Sequence, residues 1–224
     1  MGATNLPARQ AASLGQAGPP EILFKSSLDI LNGGVLFSIP ALIATGLLRH
    51  TEKLFSIPNG YYDLTSIFLV LSFMALCRIK AVERLRYIPP GEWGKLVGLD
   101  RIPEAKTLRE KMELLSQGET PFEWSAALSS DWMDELPVGD ATLYIDGHVR
   151  VYNGDQTKLP KKYVTRQRLC LSGVTDYWVN AMDGQPFFVV TREVDPGLLK
   201  VLAEEIVPRL ERDVPNQVTE KALA

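Results

Sequence analysis

The sequence predicts an α+β protein, an all-α N-terminal region followed by three antiparallel strands and one helix. Three observations predict it. Apolar residues recur at helical spacing over residues 21–115. From Ala141 the apolar period falls to two, which marks sheet. Helical spacing then returns over residues 196–210, with Asp195 as N-cap and Pro196 at the first helical position.

A chain of 224 residues permits one large domain or two small ones. Hydrophobic content of 46% and charged content of 23% fit a soluble globular protein. With a net charge of −3, any nucleic-acid surface must come from local clustering. Cys77 and Cys170 sit far apart in apolar runs, there is no Cys-x-x-Cys, and the histidines are His50 and His148. That pattern argues against a structural zinc site and for reduced thiols in a cytoplasmic protein. No stable membrane insertion is expected. The uncharged runs 33–48 and 64–77 are shorter than the about 20 residues of a spanning helix, and the first contains Pro40.

Residues 1–20 are polar and rich in Gly, Ala and Pro, and are expected to form a disordered leader without a signal core. Residues 21–140 are expected to be helical. Asp29-Ile-Leu-Asn-Gly-Gly reads as the end of a short helix, 35–53 as a second helix, and Ser56-Ile-Pro-Asn-Gly as a turn. A long third helix is expected over 64–87, apolar all round at first, then basic and amphipathic, ended by Pro89-Pro90-Gly91. A short helix over 91–99, a turn at Asp100-Arg-Ile-Pro103 and a helix over 104–116 are consistent with a helix-turn-helix at 91–116. Between Arg78 and Lys111 nine basic residues stand against five acidic ones, which makes Lys106 and Arg109 candidate DNA contacts. Solvated helix faces are the plain alternative. A further helix around Trp124 and Met133 closes at Pro137.

The stretch Thr142-Leu-Tyr-Ile-Asp-Gly-His-Val-Arg-Val-Tyr152 alternates apolar and polar residues around Asp146. Two readings stay open there. Asp146-Gly147 is a strong hairpin-turn pair; or the stretch is one strand with Asp146 midway and the turn at Asn153-Gly154. A second hairpin is expected to pair 174–180 with 186–190 across Asp183-Gly184. His148 is read as structural, on the strand face opposite Asp146, and Tyr177 and Trp178 as strand packing. Residues 148–168 hold Arg150, Lys158, Lys161, Lys162, Arg166 and Arg168 against Asp155, the best candidate DNA-binding segment by charge. A solvated loop is the alternative.

Several runs resemble the DDE-type insertion-sequence transposases. Ile102-Pro-Glu-Ala-Lys-Thr-Leu-Arg109 resembles a Pro-x-x-x-Thr-Leu-Arg element ahead of their core. Tyr144-Ile-Asp-Gly-His148 resembles the strand bearing their first catalytic Asp. Leu159-Pro-Lys-Lys-Tyr-Val-Thr-Arg-Gln-Arg-Leu, Thr175-Asp-Tyr-Trp-Val-Asn and Pro186-Phe-Phe-Val-Val look like the block that follows it. The likeness covers about residues 33–210. It implies an incomplete ribonuclease-H-like core at 141–224 and metal-dependent phosphodiester cleavage and strand transfer on DNA. Asp146 would be the catalytic carboxylate shared by two Mg2+ ions, which take oxygen ligands.

The family's second Asp and its Glu lie on later elements, so the resemblance implies a truncated or partial transposase whose Mg2+ site is completed elsewhere. Asp183 reads as a turn residue, Asp195 as a helix cap and Asp176 is undecided, so none is promoted as a substitute. Implied partners are DNA and a full-length relative or second copy, because a first strand without its neighbour leaves an open edge. The alternatives are a catalytically inactive DNA-binding or self-associating remnant and, more weakly, a membrane-associated helical protein using residues 34–80.

Overall fold

The computed structural model describes residues 4–28, 30–135, 142–154, 157–182 and 184–213. The chain divides into two compact units, Met1–Trp124 and Ser125–Ala224. The division falls between Trp124 and Ser125, and the change of apolar period at 141 lies within the second unit.

The N-terminal unit holds α1 (Leu6–Ser13), α2 (Ile39–Ala44), α3 (Thr51–Leu54), α4 (Leu64–Leu76), α5 (Pro90–Leu96), α6 (Ala105–Leu115) and the start of α7 (Thr120–Asp134), with 3-10 turns at Gly33–Ser38 and Val82–Tyr87. Its core forms around α4. The Asp63 carboxylate accepts from the Ser66 amide at 2.8 Å and starts the helix. Ile67, Val70 and Phe73 are wholly buried, and Phe55, Phe68 and Trp124 pack ring against ring, with Trp124 edge-on at 5.4 Å from Phe68.

Both long helices expected here are broken. Gly46 and His50 adopt left-handed backbone, φ 94° and 65°, and separate α2 from α3. Arg78 does the same at φ 57° after α4, and the Ile79 amide donates to the Met74 carbonyl at 2.8 Å, a Schellman-type closure. The chain then rewinds as a 3-10 turn. Val82, Leu85 and Ile88 fall every third residue and pack on the core, as three residues per turn requires. The helix pair expected over 91–116 forms as α5 and α6. A β-carbon at Gly94 would stand 2.4 Å from the Arg101 Cα, so glycine allows α5 to touch the turn between them.

The segment expected to be a disordered leader carries α1. Its composition offers no broad apolar stripe, and one cation docks it instead. Arg9 donates to the two Asp100 carboxylate oxygens at 2.6 and 3.1 Å and to the Tyr62 hydroxyl at 3.0 Å. Its guanidinium lies 3.9 Å from the Tyr61 ring centroid. The expected short helix around residue 29 is replaced by irregular chain up to 3-10 turn 33–38, and Asp29 itself lies outside the described residues.

The C-terminal unit contains β1 (Leu143–Val151), β2 (Lys161–Val164), β3 (Leu169–Ala181) and β4 (Pro186–Arg192), so the described sheet has four strands where three were expected. β3 is central and every pairing is antiparallel. Ser172 O accepts from Tyr152 N, while Gly173 N donates to Pro160 O. Adjacent residues of a strand point their backbone groups to opposite edges, so β1 lies along one edge of β3 and β2 with β4 along the other. No other strand pairs with β1 among the described residues. The β3–β4 hairpin matches the expectation, with Gly184 at φ 91°; Asp183 lies outside the described residues.

One sheet face is apolar. Tyr177, Val179, Ala181, Phe188 and Val190 bury against Val201 and Ile206. Those two belong to α8 (Leu198–Val201) and to the π-helical stretch Leu202–Ile206, which continues into α9 (Val207–Asp213). Pro208 stands at the second position of α9. The π turn ahead of it absorbs the missing amide, and the helix runs on. The helix also starts later than expected. Gly197 is its N-cap, and the Asp195 carboxylate accepts from the Gly197 amide at 2.9 Å and from the Tyr177 hydroxyl.

Burial pushes the Asp100 carboxyl up, but hydrogen bonds from Arg9, Asn5 and Tyr61 and the Arg9 charge outweigh it, leaving it below 3.8. A depressed value in the fold means stabilisation that is complete above the ordinary carboxylate range and lost as pH falls through the folded value. Asp100→Asn is expected to weaken docking of α1 by about 1–3 kcal/mol at neutral pH. Parental protein should show the same loosening only below about pH 4. Hydrogen exchange at the α1 amides reads both; equal protection in variant and parent at pH 7 would exclude the latch.

Candidate functional site

Asp146 is the middle of an uninterrupted strand. It pairs with Trp178, and its neighbours pair in unbroken register from Leu143↔Ala181 to Val151↔Gly173. The hairpin-turn reading of Asp146-Gly147 therefore does not hold. Gly147 faces the apolar side, under the Tyr177 ring at 3.5 Å from where its β-carbon would stand. The chain leaves β1 at Tyr152-Asn153-Gly154 and crosses to the far edge of β3, so these residues do not join two paired strands.

The other face of the sheet is polar and carries Tyr144, Asp146, His148 and Arg150 from β1, Asp176 and Trp178 from β3, and Thr191 from β4. His148 was placed on the face opposite Asp146. Side chains alternate along a strand, so residues two apart share a face, and His148 stands beside Asp146, directly across from Asp176. Asp146 is exposed and has no hydrogen-bond or ion-pair partner among the described residues. A single-residue reading of the sequence missed this grouping; strand alternation already contained it.

Asp176 has the opposite character. It is buried, and its carboxylate accepts from Arg150 Nε at 2.9 Å, Arg150 Nη2 at 3.2 Å and the Thr191 hydroxyl at 2.7 Å. Those bonds tie β1, β3 and β4 together and occupy both oxygens. Asp176 is a structural carboxylate. Asp195 is also occupied, by Tyr177 and Gly197. The Tyr177 hydrogen bond holds its carboxyl below 3.8, while burial and the same bond push Tyr177 up to about 12. Among the described residues no three His, Cys, Asp or Glu side chains converge as a metal seat.

The basic candidates separate into two kinds. Arg109 pairs with Glu83 at 2.9 Å, and Lys106 makes a loose, exposed pair with Glu110 at 3.9 Å. Arg150, counted with the basic stretch, is committed to Asp176. Lys158, Lys161, Arg166 and Arg168 have no acidic partner among the described residues, and Lys162 feels Asp195 only at a distance. These five lie on or beside the β2–β3 hairpin, whose register runs Lys161↔Ser172 to Val164↔Leu169. Tyr163, Leu169 and Cys170 are exposed on the same hairpin.

A family model described as "Transposase protein" matches residues 1–224. The chain belongs to this transposase protein family. No curated protein and no solved structure gives a significant match to it. Membership accords with a role in transposition. Among the described residues of this transposase-family chain, no helix is long and apolar enough to cross a membrane.

The two carboxylates of the polar face should respond differently to removal. Asp176→Ala leaves Arg150 and Thr191 without their acceptor and is expected to cost about 1–3 kcal/mol of stability. Asp146→Ala removes an exposed, unpaired group and should stay within about 0.5 kcal/mol of the parent. Urea unfolding of both variants measures this; equal destabilisation would mean that Asp146 is structural too.

Proposed function

We propose that this transposase-family chain binds DNA through its β2–β3 hairpin and that Asp146 is a metal ligand in phosphodiester cleavage and strand transfer. One observation carries the DNA-binding reading: among the described residues the hairpin cations form no ion pair, while those of α6 are paired with Glu83 and Glu110. A two-stranded ribbon fits the major groove of duplex DNA, and Lys161, Lys162, Arg166 and Arg168 would neutralise phosphates beside it. Lys158 extends the same basic surface, and Lys106, exposed and only loosely paired, is a secondary contact, whereas Arg109 is held by Glu83.

For catalysis the exposed polar face supports the reading. Mg2+ takes oxygen ligands, and Asp146 offers a carboxylate with no competing partner among the described residues. Bound there, the metal would activate the attacking oxygen and stabilise the leaving one. The described residues supply only part of such a seat, so further carboxylates from outside them belong to this proposal. Self-association along the edge of β1 that no strand pairs among the described residues is part of the same reading. A second reading, a DNA-binding module without cleavage, is favoured by the commitment of Asp176 and Asp195 to structural bonds.

Anisotropy titrations with a labelled duplex at several salt concentrations test the hairpin. The parent's affinity should fall steeply with salt, and joint replacement of Lys161, Lys162, Arg166 and Arg168 by Ala should reduce the slope by about 0.9 for each phosphate no longer neutralised. An unchanged slope removes the hairpin. In an assembled, cleavage-competent transposase Asp146→Ala should abolish cleavage and leave DNA affinity unaltered; surviving cleavage would remove Asp146 from the site.

A further inference from the structure

The 3-10 turn Val82–Tyr87 displays an arrangement that the hairpin site does not use. Its inward row is apolar, with Leu85 buried and Val82 and Ile88 packed on the N-terminal core. Its remaining positions are Glu83, Arg84, Arg86 and Tyr87, all exposed. Arg84 and Tyr87 stand three apart, and residues three apart align along one side of a 3-10 turn. Arg78 and Lys80, on either side of inward Ile79, continue the basic surface toward α4.

Three features mark this surface out. First, the Tyr87 side chain is 87% exposed. A tyrosine ordinarily buries its ring and leaves the hydroxyl wet, so a ring displayed whole is a platform without an occupant. Second, the ring sits on a stiff mount. Leu85 anchors the turn, and Ile88 is extended at φ −106°, ψ 135° ahead of Pro89, as a residue before proline prefers. Third, the charge is unbalanced. Glu83 is the acidic residue of 78–88, and Arg109 on α6 occupies it at 2.9 Å. Arg78, Lys80, Arg84 and Arg86 have no acidic partner among the described residues, in a chain whose net charge is −3.

We propose that this turn is a second nucleic-acid contact, at which an unpaired DNA base stacks on Tyr87 while Arg78, Lys80, Arg84 and Arg86 hold the flanking phosphates. The inference rests on the reading of the chain as a DNA-binding transposase. Single-stranded DNA is the fitting ligand because a base inside a duplex already has stacking partners on both faces, whereas an unpaired base has a face to offer. Sequence-tolerant stacking beside cations is how single strands are held. The Arg109–Glu83 pair has a role here as well: it neutralises the carboxylate that would repel a phosphate and fixes the turn to α6.

The whole chain is titrated with a labelled oligothymidylate and with a duplex of equal length. Tyr87→Ala should weaken single-strand binding by roughly 5–100-fold and leave duplex binding unaltered, while Tyr87→Phe retains parental affinity. Replacing Arg84 and Arg86 by Ala should lower the single-strand salt slope by about 1.4. The proposal is overturned if Tyr87→Ala binds the oligothymidylate as the parent does, or if single-strand and duplex affinity fall together. In either case a duplex affinity that still depends on the hairpin cations leaves the hairpin reading standing. A parent chain that binds neither DNA at low salt overturns both.

Discussion

Thirteen residues of β3, Leu169–Ala181, hydrogen-bond to β1 along one edge and to β2 and β4 along the other. The pleat then assigns each side chain a face. Tyr177, Val179 and Ala181 go to the helix-covered side, and Asp176 and Trp178 to the side that carries Asp146. A slip of one residue between β1 and β3 would turn Asp146 into the apolar core and Ile145 into solvent. The Arg150–Asp176–Thr191 link opposes such a slip, because it joins three strands through a carboxylate buried away from water. The exposed acid at 146 owes its position to the buried acid at 176.

Charge in this chain does two different jobs, and pairing separates them. Arg9, Arg109 and Arg150 each meet a carboxylate and hold an element in place: α1, the 82–87 turn and the sheet. Arg84, Arg86, Arg166 and Arg168 meet none among the described residues. The paired group stabilises the fold locally, and the unpaired group gives a chain of net negative charge two basic surfaces suited to phosphate. A count of Lys and Arg along the sequence merges the two, because the partners are distant: Asp100 for Arg9 and Asp176 for Arg150.

The polar face of the sheet was only partly legible. Asp146 stood out because an acid among alternating apolar residues is conspicuous, and its strand setting could not be told from a turn because Asp-Gly serves either. Pairing with Trp178 decided it. His148 was misplaced although its spacing from Asp146 was in plain view. Asp176 stayed undecided because its partners, Arg150 and Thr191, come from two other strands. The broken helices were hidden for another reason. His50 and Arg78 adopt left-handed backbone without being glycine, which composition does not announce.

The sequence by itself determined the α+β class, the order of helical region and sheet, the β3–β4 hairpin, the strand around Asp146 as one of two readings, and a likeness to transposases that the family match bears out at the level of the family. These are carried by local periodicity, turn residues and short motifs, all of which act within a few positions. Tertiary structure alone decided which carboxylates are committed and which cations form no ion pair among the described residues. It also decided that a polar leader docks as a helix and that a basic segment winds as a 3-10 turn with Tyr87 held outward. Those outcomes depend on interactions between residues tens of positions apart, such as Arg9 with Asp100 and Arg109 with Glu83, which local spacing does not specify.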